Sequence, residues 1–404
     1  MSNGAGRSAD DIVVVGAGVI GAAVAWRAAS RGLAVTIVDP EPGRGSSWAA
    51  AGMLGPVSEV HYGEEALLEL NLHAARGWPA FAAELESVLS GRDIGYRRSG
   101  TLVVAVEPGD AAMVADLHAF HRSLGLESEW LEPRRARELE PGLAPGIRAG
   151  LWVKGDHQVD NRRLMSGLLE ATALAGATIR RATATGIVTT AGRAIGVRLS
   201  DDTELVGRTV VLAAGCHSAA IAGVPAPSLP PVRPVKGQIV RLLGPAEPRA
   251  LTRIVRGVVH GSSVYLVPRA GGEVVVGATV EECGFDDTVT AGAVYELLRD
   301  AHRVVPGVTE LIVNETMAAL RPGSPDNAPM VGPSDIEGLV VATGHYRNGI
   351  LLAPVTAEAI VDLVTGSGLP PALARFTPGR FAAGTATRVG PALGHREPSG
   401  PVPC

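Results

Sequence analysis

Cysteine is scarce in this chain, and the scarcity excludes two kinds of structure. Cys216, Cys283 and Cys404 are the three cysteines among 404 residues, far apart and without CxxC spacing. Neither a disulfide framework nor a thiolate metal site is suggested, which fits a reducing compartment. An excess of positive charge is also missing. Lys and Arg number 36 against 41 Asp and Glu, and the net charge of −5 offers no basic field for nucleic acid. The basic cluster in "EPRRARELE" carries its own glutamates and reads as a solvated face. Nor is there an apolar run suited to a bilayer. The tempting stretch, Ile12 to Trp26, is too short, is broken by three glycines and ends at Arg27. The leading "MSNGAGRSAD" lacks the charged-then-apolar layout of an export signal. A soluble cytoplasmic protein with no membrane or nucleic-acid partner is the expectation.

What is present is an ordinary globular composition, 46% hydrophobic, in a chain long enough for two domains. "DIVVVGAGVIGAAVAWRAASRGLAVTIVD" reads as strand, tight turn, helix, strand. Val13, Val14 and Val15 form a continuous apolar run, as in a parallel strand buried on both faces. The helix after it stops at Gly32, a good left-handed cap. Asp160 reads as the N-cap of another helix, with Leu164, Leu168, Leu169 and Leu174 at near-helical spacing. "TVVLAAG" at 209–215 and "GLVVATG" at 338–344 are further buried strands, and "ILLAPVTAEAIVDLVTG" follows the second as a helix. These pieces predict an α/β fold whose doubly wound, Rossmann-like sheet is assembled from residues 1–85, 156–224 and 322–372. Residues 86–155 and 225–321, with β-rich patterns at 96–106 and 232–280, predict an inserted α+β domain with a mixed or antiparallel sheet. A Pro/Gly-rich tail over 373–404 follows, with disorder expected in its last twenty residues.

"GAGVIG", Gly16 to Gly21, matches the GxGxxG dinucleotide fingerprint. Gly16 permits the tight turn, Gly18 lets backbone approach a pyrophosphate, and Gly21 lets helix and strand pack closely. The helix start then offers free N–H groups to the phosphates. Asp39 ends the next strand, where a carboxylate suits ribose hydroxyls and disfavours a 2′-phosphate, so NAD and FAD both remain open. "GSSWAAAGML", Gly45 to Leu54, bears on that choice. Ser46 and Ser47 suit a helix cap and a phosphate, and Ala49 to Gly52 leave no side chain to block a flat ring. The plainer reading of this stretch is a loop helix packed on the sheet. Near the end, "VVATGHYRNGILLAP" repeats the strand-to-glycine-to-helix turn three hundred residues later.

Together "GAGVIG", Asp39, "SSWAAAGML", "VVLAAG" and "GHYRNGILLAP" resemble the flavin-dependent amine oxidases related to D-amino-acid oxidase and sarcosine oxidase. The branch they resemble most is the glycine oxidases of thiamine biosynthesis, over about residues 11 to 370. The resemblance implies an FAD held by Gly16, Gly18, Val19, Ile20, Gly21, Asp39, Pro40, Ser46, Ser47, Ala51, Gly52, Met53, Thr185 and Gly215. It adds His345, Tyr346, Arg347, Asn348, Gly349, Ile350 and Leu351 at the second helix mouth, which faces the pyrimidine end of the flavin. N–H groups there stabilise the negative charge of the reduced ring. "TMAALRPG" carries no cysteine where the covalent sarcosine oxidases attach their flavin, so FAD is expected to be non-covalent.

On the substrate side the resemblance implies Arg321, in "LRPGSPD", as the clamp on a small amino acid's carboxylate. Tyr265, in "SVYLVPR", orients carboxylate or amine, and Arg347 serves either flavin or substrate. The implied reaction is hydride transfer from the α-carbon to flavin N5, giving an imine, then an oxo acid and ammonia, with dioxygen reduced to peroxide. It requires no side-chain base, so His345 and His157 read as packed or solvated histidines. Lys236 either approaches the flavin or sits at a surface turn. A homo-oligomer that hands its product to thiazole synthase is the implied setting. A dehydrogenase with another electron acceptor and a flavin-binding subunit of a larger oxidase are the alternatives. No metal site is expected.

Overall fold

The computed structural model describes residues 10–247, 249–381 and 402–403. The disorder expected for the last twenty residues falls, but for 402–403, outside that range. Two sheets organise the chain. The first runs in the order Met330–Pro333, Leu339–Thr343, Glu204–Leu212, Asp10–Val15, Val35–Val38, Thr178–Arg180, all parallel except for its antiparallel first strand. Its strands thus come from three separated stretches of chain, as an α/β fold with inserted segments requires. Val13, Val14 and Val15 are buried, and their side chains alternate between two cores.

On one face of this sheet pack the helices Val19–Ser30, Glu65–Val88, Asn161–Leu174 and Gly349–Val364. The other face carries a three-stranded antiparallel meander, Ala184–Thr190, Arg193–Leu199 and Glu204–Leu212, whose last strand runs into the parallel sheet. The small residues of Val19–Ser30 have a physical role. Gly21 sits so close to the turn before it that an added Cβ would stand 1.8 Å from the Gly16 carbonyl oxygen. Asp160 caps Asn161–Leu174 by accepting the N–H groups of Arg162 and Arg163. Leu164 and Leu168 face the core, whereas Leu174, at the end of that helix, is exposed.

The second sheet is mostly antiparallel. Its central order is Arg233–Leu243, Glu273–Gly277, Ser262–Pro268, Ile254–Val259, Thr101–Ala105, Ala149–Val153, Glu129–Leu131. Ile312–Gly323 runs along the other side of Arg233–Leu243. One face is covered by the amphipathic helix Ala291–Val304, whose start is capped by the Thr290 hydroxyl. The opposite face looks toward residues 49–53 of the first unit. One cysteine departs from expectation: Cys283 is disulfide-bonded, while Cys216 is free and buried. Among the described residues no helix is long and apolar enough to cross a membrane.

Gly21→Ala should cost about 1–3 kcal/mol of stability, because the helix cannot seat on the Gly16 carbonyl with a methyl between them. A lower urea midpoint at unchanged slope is the expected reading.

Candidate active site

The fingerprint turn closes around glycine. Gly16, at φ +100°, donates its N–H to the Val38 carbonyl at 2.8 Å, and a Cβ there would meet the Ala213 carbonyl at 2.5 Å. Two of the expected cofactor contacts also bind protein. The Ser47 hydroxyl accepts the Val19 N–H at 3.0 Å, and the Asp39 carboxylate accepts the N–H groups of Ala17 (2.7 Å) and Glu41 (2.8 Å). A carboxylate offers about four lone-pair directions, so these two bonds leave acceptor capacity for a pair of hydroxyls. Pro40, beside it, is exposed. Thr185 is exposed as well, and its hydroxyl donates to the Arg198 and Leu199 carbonyls of the meander. The chain bonded directly to Asp39 is Arg180 and Ala182 instead. Gly215 follows the strand that flanks Gly16, and its carbonyl accepts the Thr343 hydroxyl at 3.0 Å.

The stretch after the second strand forms a one-turn helix, Ser46–Ala49. Asn161 pins it by donating to the Ser47 and Trp48 carbonyls at 2.9 and 2.8 Å, and Arg44 and Arg162 lie over the Trp48 ring. Gly52 has φ +64°, and a Cβ there would stand 2.0 Å from the Val159 carbonyl. Its own carbonyl accepts the Val159 N–H, but its N–H finds no acceptor among the described residues, although the residue is buried. An unpartnered N–H in such a place is uncommon and asks for a ligand.

The second helix mouth lies beside the first. Gly349 opens the helix Gly349–Val364, and a Cβ on it would stand 4.0 Å from Val19 Cγ1, so two helix N-termini converge on one region. Neither has a side-chain cap from its own cap residue. Tyr346, at φ +47°, turns the chain while its N–H donates to the Pro322 carbonyl. Asn348 donates to the His345 carbonyl, and the Leu351 carbonyl accepts Trp78 Nε1–H at 2.9 Å. Ile350 and Leu351 are buried. His345 is buried with Nε2 3.0 Å from the Thr356 hydroxyl, and burial pushes its imidazole down to about 3.

Tyr265 and Arg321 come from strands of the second sheet and share a face. Tyr265 stands opposite Gly277, whose Cβ would meet the phenol oxygen at 2.3 Å. The Arg321 guanidinium lies across Gly237, whose Cβ would meet it at the same distance. Both side chains thus lie flat because the neighbouring strand offers glycine. Arg321 donates to the Thr279 and Lys236 carbonyls at 3.1 and 3.3 Å, and no carboxylate pairs with it among the described residues. Ala49, Ala51 and Met53 pack on this same face. Lys236 points to the opposite face, where Asp286 (2.7 Å) and Glu281 (3.8 Å) hold its buried ammonium. His157 is half-buried against Tyr96, and burial lowers its pKa.

Five participants were not among the sequence candidates: Glu59, Arg256, His61, Asn161 and Arg269. Glu59 forms an ion pair with Arg256, Arg347 donates to His61 Nε2 at 3.0 Å, and Asn161 and Arg269 brace the 47–51 segment. The pairs span 197 and 286 residues, a separation at which spacing carries no signal. Buried Asp156, which burial pushes up to about 6, holds the turn before them by accepting the Val57 and Ser58 N–H groups. Burial, with Arg347 and Arg256 adding repulsion, pushes His61 down to about 3. Since its pKa is lowered on folding, the unfolded chain takes up a proton near 6.5 that the folded chain refuses. The contribution is therefore lost as pH falls from about 6.5 toward 3. His61→Gln, whose amide oxygen still accepts from Arg347, should lose less stability than wild type between pH 7 and 5, measured by denaturant unfolding.

Comparison with known proteins accords with this geometry. Residues 11–363 match the family described as FAD dependent oxidoreductase. The glycine oxidase of Geobacillus kaustophilus is 34% identical over 88% of this chain and 92% of its own. Its crystal structure superposes with a TM-score of 0.82 over 92% of this chain and 98% of that one. The bifunctional protein ThiO/ThiG of Synechocystis is 32% identical over 93% of this chain, which spans about half (54%) of that relative's length. The hydrogen cyanide synthase subunit HcnC of Pseudomonas aeruginosa is 30% identical over 92% of this chain and 96% of its own. The glycine cradle, the unpartnered Gly52 N–H and the two converging helix mouths fit the cofactor that the family binds. The chain belongs to the DAO family of FAD-dependent oxidoreductases.

Proposed function

We propose that the chain is a glycine oxidase, which also accepts sarcosine and small D-amino acids. The α-carbon gives up a hydride, the imine hydrolyses to glyoxylate and ammonia, and dioxygen is reduced to hydrogen peroxide. Non-covalent FAD, when bound, supplies the two-electron acceptor at its ring N5. Arg321 carries this reading. It is a half-buried guanidinium answered by two backbone carbonyls and, among the described residues, no carboxylate, on the face where Ala49, Ala51 and Met53 pack. Its planar fork suits a substrate carboxylate, whose charge would complete the pairing.

The other residues position and exclude. Burial raises the Tyr265 phenol, which remains a donor at neutral pH to the carboxylate or amine. The Glu59–Arg256 pair is close enough to Tyr265 to bear on its ionisation, and it closes that side with two long side chains, which supports a small substrate. Arg347, steadied by a neutral His61, serves the pyrimidine edge or the substrate anion. Gly16 to Gly21, Asp39, Ser46 and Ser47 would hold the dinucleotide half. Hydride loss from a neutral amine depends on orientation rather than on a base, in keeping with His345 held uncharged by burial. The ThiO/ThiG relatives support a product hand-off to a thiazole synthase. A cytoplasmic homo-oligomer is the setting we propose for it. The HcnC relatives, named as a subunit, favour a second reading, a flavin subunit of a larger oxidase. A dehydrogenase with another acceptor is the further alternative.

Anaerobic mixing of the holoenzyme with glycine, sarcosine and D-alanine separates these readings. Bleaching of the flavin band and recovery in air support the oxidase, and bleaching without recovery supports the dehydrogenase. A yellow chain that none of them bleaches points to the subunit. Arg321→Ala should weaken substrate binding by about 3 kcal/mol, roughly a hundredfold, with FAD content unchanged, and stopped-flow bleaching measures both. Gly18→Val fills the cradle and should purify colourless.

A further inference from the structure

Behind residues 49–53 lies a buried positive charge that the proposed reaction leaves unused. Arg269 follows the strand Ser262–Pro268, is 5% exposed, and reaches across to the first unit. Its guanidinium donates to the Ala51 carbonyl at 2.5 Å and to Gln158 Oε1 at 2.6 Å, with Asn161 Oδ1 at 3.5 Å. All three acceptors are neutral, and its Nε has no partner. No carboxylate pairs with it among the described residues. The nearby acids are engaged elsewhere: Asp160 caps the Asn161–Leu174 helix, and Glu273 pairs with Arg241 at 2.8 Å. Burial pushes the guanidinium down to about 10, so it stays charged at neutral pH. A cation withdrawn from water and met only by neutral groups is costly, and an apolar side chain of similar length would sit there more cheaply.

We propose that Arg269 is a positioning residue for the flavin: it sets the Ala51–Gly52 peptide and lends the site a positive charge that raises the flavin's reduction potential. The inference rests on FAD as cofactor and on residues 51–53 facing it, and not on glycine as substrate. Three observations join here. Tyr265 and Arg269 lie four residues apart with alternating side chains between them, so one stretch of chain places both the pocket tyrosine and the brace on residue 51. Gly52 admits no Cβ, and a hydrogen bond holds the peptide on each side of it: Arg269 donates to the Ala51 carbonyl of the Ala51–Gly52 unit, and Val159 N–H to the Gly52 carbonyl of the next. The Ala51 carbonyl and the unpartnered Gly52 N–H belong to one peptide unit. A charged donor on the oxygen polarises that unit and makes the N–H a stronger donor to whatever it meets. Both effects favour negative charge on a reduced ring beside them.

The test uses FAD-loaded Arg269→Lys, Arg269→Gln and Arg269→Met, with the midpoint potential read by chemical reduction against a reference dye and no amine present. The Lys variant should keep most of the wild-type potential. The Gln and Met variants should show a more negative potential and at least tenfold slower anaerobic bleaching, with substrate Kd within twofold of wild type. Should the Met variant fail to fold, the Gln variant, which retains a donor for Ala51, carries the measurement. A Gln variant with wild-type potential and bleaching rate would overturn the proposal and leave Arg269 a packing residue. Because the potential is read without amine, failure of glycine to bleach the wild type leaves this result standing.

Discussion

The close approach of a helix start to a strand end, with only glycine between, is the contact on which the site depends. Gly21 against the Gly16 carbonyl lets Val19–Ser30 begin directly at the sheet's edge. That placement brings the first-turn N–H groups of the helix beside those of Gly349–Val364, where a Cβ on Gly349 would stand 4.0 Å from Val19 Cγ1. Two positive helix ends side by side repel weakly, and an anionic ligand between them relieves the repulsion. Each additional side chain at these glycines would separate the elements and dissolve the region they share.

Charge is distributed over the second sheet by strand alternation. On the strand Arg233–Leu243, Lys236 faces two carboxylates and is neutralised within the protein. Its neighbour Gly237 faces the other way and receives Arg321, whose charge meets only carbonyl oxygens among the described residues. One residue of register therefore separates a structural ion pair from an anion-seeking one. Arg269 repeats the second arrangement farther along that face, with amide and carbonyl oxygens as its partners. The face toward residues 49–53 thus carries Arg321 and Arg269, which no carboxylate answers among the described residues, beside Arg241 and Arg256, which Glu273 and Glu59 pair.

Legibility in the sequence followed the range of the interaction. The valine run, the Asp160 cap and the glycine turn are signals carried by adjacent residues, and the structure reproduces each as an element with the expected burial. At Thr185 the fold adds a contact the sequence does not announce, its hydroxyl donating to the Arg198 and Leu199 carbonyls of the meander. Lys236 shows the limit of reading a strand residue without its face. Glu59 with Arg256, and His61 with Arg347, left no trace in spacing, because each pair joins a loop to a stretch far away in the chain.

The sequence by itself determined the local conformations. Glycines set the positive-φ turns, periodic apolar residues set helices and strands, and motif order set the α/β class, because these are properties of a few neighbouring residues. Only the tertiary structure decided which charges go unanswered. Whether an arginine meets a carboxylate or a carbonyl depends on which strand lies beside it and which face it occupies. That is fixed by packing across hundreds of residues and by the desolvation it imposes. Arg321 and Arg269 are two ordinary arginines in the chain, and only the fold leaves one half-buried and the other buried, each without a carboxylate partner among the described residues.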